Sequence, residues 1–556
     1  MDFEALFAEN RAFFVSPTGS LKSRCLSLQN EAMPDIFWNM TYLAVPIQGQ
    51  NKAEFKDRLK SAKQAGAEIL ELRTDYLTDL SPRIVVDLIH SARRTGLPVI
   101  VTCRDSKQGG AGNWTLKQRT EVLLEAVRAG ADFIDCEVDN FTGDVQIAIQ
   151  EAISANPRCR LILSAHNFQG SFEDIAILYE SIITVCPQAI PKLVYTADHI
   201  SDCFPAFDLL HNKDRDAIVF CMGSAGMISR VLAKKFDSFL TFASLDDRQA
   251  TAPGQLTIRQ ARDIYRWDKI DEQTEIFGVI GDPVGHSISP WVFNACFEKD
   301  GVNAVHLPFY VQQDKIGFNS FMKGVVERPW LNIGGFSVTI PHKTNALDFA
   351  GRGGDFVEPL ASTIGAVNTL KVGFNGIVSA YNTDYAGAMD ALTATMGIER
   401  HQLHGVKVAC IGAGGAARAV VAGLMDAGAE VTIYNRTLHK AQLLAEEFRC
   451  RAYGLDGISS LDAAIIINCT SIGMSPNVDA SSVPAEVFKA GMTAFDTVYT
   501  PLKTRFLQQA EAAGANIVTG AEMFIRQAMA QYRIFLGKEP DEPTMRKMVF
   551  DRLSLA

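Results

Sequence analysis

The sequence predicts an α/β protein made of a (β/α)8 barrel, a second α/β domain and a dinucleotide-binding domain of the Rossmann type. Three observations lead to this prediction. Strand-like and helix-like segments alternate from residue 41 onward, and a glycine-rich turn joins a strand to a helix near residue 412. The length of 556 residues also allows three or four domains, at about 100–200 residues each.

The barrel is predicted from eight strand-like segments separated by amphipathic helical stretches. Gly66, Gly96 and Gly130 each follow a helical stretch, as glycines at helix C-termini do. Eight repeats within about 210 residues suit a barrel of typically about 250 residues. A doubly wound sheet is the alternative, but the even spacing favours the barrel. The segments are 42–47, 68–72, 98–103, 132–138, 160–165, 192–196, 217–222 and 239–244.

Charged side chains occur where these strands end. The C-terminal ends of barrel strands form the active site in such folds. A ring of charges beside apolar strands is therefore a candidate site. Its members are Glu71, Arg73, Asp75, Arg104, Glu137 and His166.

Lys192, predicted to open the sixth strand, has two interpretations. It is either an amine that extends to solvent at a strand edge or a nucleophile that forms a Schiff base with a ketone. Its companions favour the second interpretation. His166 ends the preceding strand and suits proton transfer, and Arg230 follows a glycine-containing loop suited to binding a carboxylate.

The glycine-rich turn predicts the cofactor. Gly412 permits the tight turn, Gly414 lets a pyrophosphate approach the backbone, and Ala417 fills the third small position. The second strand ends at Arg436, where an NAD-binding unit usually has an acid. Because a guanidinium suits a 2′-phosphate, the sequence predicts NADP.

Four motifs precede this turn. They place Ser287 and Ser289 on one turn, Lys343 just past a strand, Asn368 after a strand, and Asp384 at a helix start. Each alone is ordinary, since serine turns, surface lysines and capping residues are common. Beside a hydride cofactor they suit alcohol oxidation, because a lysine near an acid can pass a proton as the hydride moves.

The first half, residues 41 to about 260, resembles type I 3-dehydroquinate dehydratase. The resemblance lies in ELRTD at 71–75, VTCR at 101–104, GMISR at 226–230 and APGQ at 252–255, together with His166 and Lys192. It implies an imine between Lys192 and the substrate ketone, with His166 as general acid and base. It implies that the following residues bind substrate or order the site: Glu71, Arg73, Arg104, Arg230, Thr251 and Gln255.

Two positions depart from that family. Gln108 stands where a glutamate usually pairs with the histidine. Since an amide neither takes nor gives the proton, we expect an active but slower dehydratase. Thr251 stands where serine is common, which keeps the hydroxyl.

The second half, residues 276 to about 550, resembles shikimate dehydrogenase. Further motifs are NCTSIGM at 468–474, DTVYTP at 496–501 and GAEMFIRQA at 520–528. The resemblance implies that Lys343 and Asp384 are the catalytic pair. The implied substrate-binding residues are Ser287, Ser289, Thr339, Asn368, Tyr499 and Gln527. The implied NADP-binding residues are Gly412, Ala413, Gly414, Gly415, Ala416, Asn435, Arg436, Thr437, Thr470, Gly520 and Met523.

The predicted organisation has six parts. They are an N-terminal extension at 1–38, the barrel at 39–262, a linker at 263–275, a substrate-binding domain at 276–388, the NADP-binding domain at 389–525, and C-terminal helices at 526–556 that return to the substrate-binding domain.

Composition narrows the partners to small molecules. The net charge is −10 without a basic block, which argues against nucleic acid. No apolar run approaches the roughly 18 residues of a membrane helix. The 11 scattered cysteines lack any C-x-x-C spacing, so we expect free thiols and no metal. Cytosol suits a bacterial source and plastid a plant source, while the sequence does not determine the oligomeric state.

The whole chain thus resembles fused dehydroquinate dehydratase–shikimate dehydrogenases. This implies dehydration of 3-dehydroquinate to 3-dehydroshikimate, then reduction to shikimate with NADPH. A catabolic quinate or shikimate dehydrogenase with its dehydratase is one alternative. A regulatory homologue without working sites is another, but the presence of Lys192, His166, Lys343 and Asp384 argues against it.

Overall fold

The computed structural model describes residues 41–246, 254–285, 287–351 and 355–554. The predicted extension at 1–38 and the candidate Thr251 lie outside the described residues. Residues Asn39–Ala556 form one structural unit.

The first part of this unit is the predicted barrel, and the fold prediction is confirmed. Its parallel strands follow the order β7-β6-β5-β4-β3-β2-β1-β8. Between β7 and β8 the sheet is joined by a hydrogen bond from the Phe239 amide to the Ala217 carbonyl, 2.8 Å long. The strands are β1 Tyr42–Ile47, β2 Ile69–Arg73, β3 Val99–Thr102, β4 Phe133–Glu137, β5 Arg160–Asn167, β6 Ile190–Thr196, β7 Ile218–Met222 and β8 Leu240–Phe242.

The barrel helices form where capping and periodicity predict them. Asn51 caps the first helix by accepting hydrogen bonds from the amides of Ala53 and Glu54, and Gly66 ends it with a φ of +91°. The helices are α1 Lys52–Ala65, α2 Pro82–Arg93, α3 Leu116–Arg128, α4 Gly143–Ala155, α5 Ile175–Val185, α6 Phe204–Asn212 and α7 Gly223–Val231.

The sixth strand begins earlier than predicted. Lys192 lies inside β6 rather than at its start, because parallel pairing with β5 already begins at Ile190, opposite Ile162.

Two further sheets follow. The second has the order β10-β9-β11-β13-β14-β12, in which β13 runs antiparallel to β11 and β14. The third, entirely parallel, has the order β17-β16-β15-β18-β19-β20, which is that of a Rossmann domain. The strands are β9 Glu275–Gly281, β10 Ala304–Tyr310, β11 Ile333–Val338, β12 Phe356–Val357, β13 Thr369–Val372, β14 Val378–Tyr381, β15 Lys407–Ile411, β16 Glu430–Asn435, β17 Arg451–Gly454, β18 Ile465–Asn468, β19 Thr493–Asp496 and β20 Asn516–Val518.

The helices of the second half surround these sheets. They are α8 Ser289–Lys299, α9 Lys315–Val326, α10 Lys343–Ala350, α11 Pro359–Ile364, α12 Asp384–Met396, α13 Gly415–Asp426, α14 Leu438–Phe448, α15 Arg505–Ala512, α16 Gly520–Leu536 and α17 Glu542–Leu553.

The two C-terminal helices pack on the second sheet. Tyr532 and Phe535 of α16 share an apolar cluster with Phe277 of β9 and Phe293 of α8. Helix α16 therefore runs across residue 525, where the sequence analysis ended the NADP-binding domain.

The segment predicted as a linker is packed against its surroundings. Trp267 is only 1% exposed. Arg266 donates hydrogen bonds to the carbonyls of Val302 (3.1 Å) and Ala304 (2.8 Å), beside the start of β10. The segment was predicted as a linker because its charged residues outweigh the apolar residues between them.

Helix α6 of the barrel also packs directly on α9. The rings of Phe204 and Phe321 stack with centroids 6.0 Å apart. A Cβ on Gly324 would lie 2.2 Å from the Phe204 ring, so this approach requires a glycine. Arg328 binds Asp208 through two hydrogen bonds of 2.8 Å each. The barrel and the second sheet thus share a continuous interface.

Candidate active sites

The centre of the barrel holds a buried ammonium between two carboxylates. Lys192 is 4% exposed, and its Nζ lies 2.8 Å from Asp135 Oδ2 and 3.6 Å from Glu71 Oε1. The same Nζ lies 4.6 Å from the centroid of the Phe242 ring. Alternation along β6 places this lysine inside the barrel, because its neighbours on either side point into the surrounding core. It is therefore not a lysine that extends to solvent.

Arg104 connects this lysine to the neighbouring strands. Its Nη2 lies 2.8 Å from Asp135 Oδ2, and its Nη1 donates to Glu137 Oε1 at 2.9 Å and to Ser164 Oγ at 2.6 Å. The Ser164 hydroxyl in turn donates to Asp135 Oδ1 at 2.6 Å. Burial would raise the pKa of Asp135, but Arg104 and Lys192 hold it below its usual range. Asp135 is therefore ionised beside the lysine.

Asp135, Ser164 and Arg119 also belong to this network, and none of them was predicted from the sequence. Arg119 reaches it from α3, with Nη1 3.1 Å from Glu137 Oε2. A signal for Asp135 was present, because it precedes Glu137 by two positions and therefore shares its face of β4.

His166 lies at the edge of this network and contacts the position that departs from the family. Its Nδ1 is 3.1 Å from Gln108 Oε1, and Gln108 Nε2 donates to Asp139 Oδ2 at 3.0 Å. Burial, followed by the nearby cations Arg104 and Lys192, lowers the pKa of His166 well below its usual value. The imidazole is therefore neutral at neutral pH, as a general base must be.

Two arginines in the barrel have different surroundings. Arg73 forms two hydrogen bonds of 2.9 Å with Asp75, so an acid already compensates its charge. Arg230 is 3% exposed and lies 4.4 Å over the Phe220 ring. Among the described residues no carboxylate pairs with Arg230, and burial lowers its pKa to about 10. A buried guanidinium of this kind suits an anionic ligand. The predicted partner Gln255 is half-buried after β8.

The second site is a lysine–aspartate pair between two helix N-termini. Lys343 begins α10, Asp384 begins α12, and the Lys343 ammonium forms an ion pair with the Asp384 carboxylate. Asn368 Nδ2 donates to Asp384 Oδ1 at 2.9 Å. The structure thus brings together three of the predicted residues.

Hydrogen bonds from α16 and from Thr383 hold Asn368 in place beside this pair. Gln531 of α16 donates to the Asn368 carbonyl at 3.2 Å and accepts from Ser337 Oγ at 2.8 Å. The Thr383 amide donates to Asn368 Oδ1 at 2.8 Å. Neither Gln531 nor Thr383 was predicted from the sequence. Gln531 lies 163 positions from Asn368 along the chain, so sequence spacing does not connect the two.

The remaining predicted substrate-binding residues surround the pair. Gln527 Oε1 accepts a weak hydrogen bond from Thr383 at 3.5 Å, which links it to the pair. Ser289 is buried at the start of α8, and its amide donates to Ser287 Oγ at 3.3 Å. Thr339 follows β11, and the Tyr499 ring packs 5.1 Å from the Phe524 ring. Their joint contact with a substrate remains a prediction.

The glycine turn has the backbone geometry that a dinucleotide requires. Gly412 has a φ of +115°, and a Cβ there would lie 2.9 Å from Thr470 Cγ2. A Cβ on Gly414 would meet no atom within 4 Å, so this face of the helix N-terminus is open. A Cβ on Gly415 would lie 3.0 Å from Lys343 Cδ, so Lys343 packs against the nucleotide turn.

The other predicted cofactor residues flank this turn. Ala413 and Ala416 are half-buried beside it, and Met523 is buried on α16. A Cβ on Gly520 would lie 2.4 Å from the Val498 carbonyl, which explains the small residue there.

The end of β16 carries the predicted 2′-phosphate contacts. Asn435 Nδ2 donates to the Thr437 carbonyl at 2.9 Å, which orders the turn around Arg436. Arg436 is exposed, and no acid among the described residues pairs with it. This donor set fits NADP.

Comparison with known proteins agrees with this geometry. The family models described as type I 3-dehydroquinase, shikimate dehydrogenase substrate binding domain, shikimate/quinate 5-dehydrogenase and shikimate 5′-dehydrogenase C-terminal domain match residues 43–272, 279–370, 394–486 and 520–550. The chain is 34% identical over 522 residues to the chloroplastic bifunctional 3-dehydroquinate dehydratase/shikimate dehydrogenase of Arabidopsis thaliana, covering 90% of this chain and 83% of that protein.

The chain belongs to this bifunctional family. It is accordingly both a dehydratase and a dehydrogenase, and it catalyses two consecutive steps of the shikimate pathway.

Relatives of the second half are also known. The shikimate dehydrogenase (NADP(+)) of Methanosarcina mazei is 41% identical over 290 residues, covering 50% of this chain and 99% of that protein. A crystal structure of shikimate 5-dehydrogenase from Thermus thermophilus with NADP(H) and shikimate is 34% identical, with a TM-score of 0.44, covering 50% of this chain and 99% of that one.

Two other kinds of feature are absent from the described parts of the chain. No helix there is long and apolar enough to cross a membrane. No group of three or more His, Cys, Asp or Glu side chains there is placed to hold a metal ion.

Proposed function

We propose that the barrel dehydrates 3-dehydroquinate through a Schiff base on Lys192, and that the second half reduces 3-dehydroshikimate to shikimate with NADPH. One observation carries the proposal. The same chain holds a buried lysine, Lys192, between two carboxylates. It also holds Lys343, which pairs with Asp384 and packs against the nucleotide turn.

In the barrel, Lys192 must lose a proton before it can attack a ketone. Glu71, whose Oε1 lies 3.6 Å from Nζ, can accept that proton, while Asp135 stays ionised beside it. The amine adds to the carbonyl carbon, and loss of water leaves an imine. The imine makes the adjacent C–H bond more acidic.

Elimination then requires a base. His166 takes the proton from that carbon and a C=C bond forms. The imidazolium gives this proton to the neighbouring hydroxyl, which leaves as water. Hydrolysis of the imine releases the product and restores Lys192. Arg230 binds the substrate carboxylate, because its guanidinium is buried without an acid partner among the described residues.

In the second half, bound NADPH supplies the hydride for the ketone carbon. Lys343 donates a proton to the ketone oxygen as the hydride arrives, and Asp384 orients the lysine. Gly412, Gly414 and Arg436 would hold the pyrophosphate and the 2′-phosphate. The protein works in the cytoplasm, or in the plastid if its source is a plant.

The test supplies 3-dehydroquinate and NADPH together and follows NADPH absorbance. Steady loss with formation of shikimate supports both steps. NADPH loss only after addition of 3-dehydroshikimate would exclude the barrel reaction. No loss even then would exclude the dehydrogenase reaction, which is the step that consumes NADPH. Borohydride reduction with 3-dehydroquinate should add the substrate mass at Lys192. Faster oxidation of quinate with NAD than of shikimate with NADP would instead support the catabolic alternative.

A further inference from the structure

A chain of two hydrogen bonds connects an exposed carboxylate to the proposed general base. Gln108 ends a turn at Ser106–Gln108, Asp139 lies in the turn Val138–Asn140 after β4, and His166 lies near the end of β5. His166 Nδ1 is 3.1 Å from Gln108 Oε1, and Gln108 Nε2 is 3.0 Å from Asp139 Oδ2. The inference below rests on the proposed dehydratase function.

The chemistry of these groups allows one arrangement of hydrogens. A carboxylate only accepts hydrogen bonds, so Gln108 must turn its NH2 group to Asp139 and its carbonyl oxygen to His166. That oxygen also only accepts, so the hydrogen of neutral His166 must lie on Nδ1. The lone pair is then on Nε2, where a base can take a proton from substrate.

We infer that Asp139 is a positioning residue of the dehydratase, which fixes the orientation of the Gln108 amide and thereby the base-competent tautomer of His166. In a chain with glutamine at position 108, the charge that orients the histidine comes from the next loop. Asp139 forms no ion pair with any described Lys or Arg that would explain it otherwise. Its side chain is exposed, and its one hydrogen bond among the described residues is the one from Gln108.

The decisive variant is Asp139→Asn, which keeps the shape but can donate as well as accept. Gln108 can then turn its NH2 group toward Nδ1, which places the imidazole hydrogen on Nε2. We expect the dehydratase kcat to fall about tenfold with little change in KM. The rate of 3-dehydroshikimate reduction by the same sample should stay unchanged, which shows that the variant is folded.

A second readout measures the tautomer directly. With 15N-labelled histidine, the His166 signals are identified by their loss in His166→Asn. Wild type should show a protonated Nδ1 and an unprotonated Nε2, and Asp139→Asn should show a mixture or the reverse. This readout uses the resting enzyme, so it decides the inference even if 3-dehydroquinate proves not to be the substrate.

Two controls separate positioning from a structural effect. Asp144→Asn changes an exposed acid at the start of α4, outside the network, and should leave both rates unchanged. In a Gln108→Glu background the glutamate accepts directly from Nδ1, so Asp139→Asn should no longer lower kcat. An equal fall in that background, or a wild-type kcat and tautomer in Asp139→Asn, would overturn the inference.

Discussion

The two lysines that we propose to be catalytic have different surroundings in this chain. Lys192 has a side chain that is 5% exposed, inside a network whose members come from strands β2 to β6. Lys343 is 15% exposed, starts a helix and pairs with one acid. A nucleophilic lysine benefits from exclusion of water and from a nearby carboxylate that can accept its proton. A lysine that only transfers a proton must instead contact both substrate and cofactor turn.

This difference has an energetic consequence. In the barrel Lys192, Asp135 and Arg104 each pair with two opposite charges, so removal of one leaves buried charges with fewer partners. In the dehydrogenase the pair is nearer solvent, so loss of one member should affect catalysis more than stability. The predictions below test this contrast.

The largest effect is expected for Lys192→Met. Without the amine no imine can form, so the dehydratase rate should fall by about 10⁴-fold or more. Reduction of 3-dehydroshikimate should be unchanged, and borohydride should add no substrate mass. Lys60→Met, at an exposed position of α1, is the control. A dehydratase rate within tenfold of wild type would contradict the imine mechanism.

The matching change in the second site is Lys343→Met. Loss of the proton donor should lower the dehydrogenase kcat by about 10³-fold. The urea midpoint and the dehydratase rate should stay near wild type. A rise in KM alone would mean that Lys343 binds substrate without transferring the proton.

Asp135→Asn should destabilise the barrel by about 3 kcal/mol, because it leaves Lys192 and Arg104 with less compensating charge. The pKa of Asp135 is lowered in the folded state. Its contribution is therefore complete at neutral pH and is lost as the pH falls below about 4.

Urea unfolding at pH 7 and at pH 4 or lower measures this contribution. The difference in the free energy of unfolding between wild type and Asp135→Asn should become smaller as the pH falls below about 4. A gap that is constant with pH would show that the asparagine acts through shape rather than charge.

Arg436→Ala tests the cofactor end of the second site. Loss of a charge-assisted contact to the 2′-phosphate should raise KM for NADPH about 30-fold. The rate with NADH, which lacks that phosphate, should not change. Arg449→Ala, at an exposed helix end of the same domain, is the control. Equal effects on both cofactors would assign Arg436 a structural role.

The smallest effect is expected for Gln108→Glu. A carboxylate beside His166 would stabilise its protonated form, so its pKa should rise from the lowered value that burial imposes. We expect the dehydratase kcat to rise about threefold. An unchanged or lower kcat would show that the Gln108 amide does not slow the dehydratase reaction.

Much of the fold could be predicted from local sequence. All eight barrel strands lie within two or three residues of the predicted segments, because buried parallel strands are continuous apolar runs. The packed segment around Trp267 was not predicted, because its charges resemble those of an exposed linker. Candidate site residues were easiest to find beyond the end of a strand, as Arg104 is after β3.

Residues inside strands were harder to predict. Asp135 and Ser164 lie in apolar runs whose two faces are both buried, so their spacing of two residues from Glu137 and His166 was the one sequence signal for their direction. Gln531 lies on a helix whose return to the second sheet depends on packing rather than on sequence spacing.

The sequence by itself determined the strands, the helices, the glycine turn and the identity of the reactive groups, because these depend on neighbours along the chain. The tertiary structure decided which charges compensate each other. Ser337 and Gln531 are 194 positions apart, and Gln108 and His166 are 58 apart. Such contacts depend on the order of strands in each sheet and on the packing of helices. For the same reason, the hydrogen-bond chain from Asp139 through Gln108 to His166 could be found only in the folded structure.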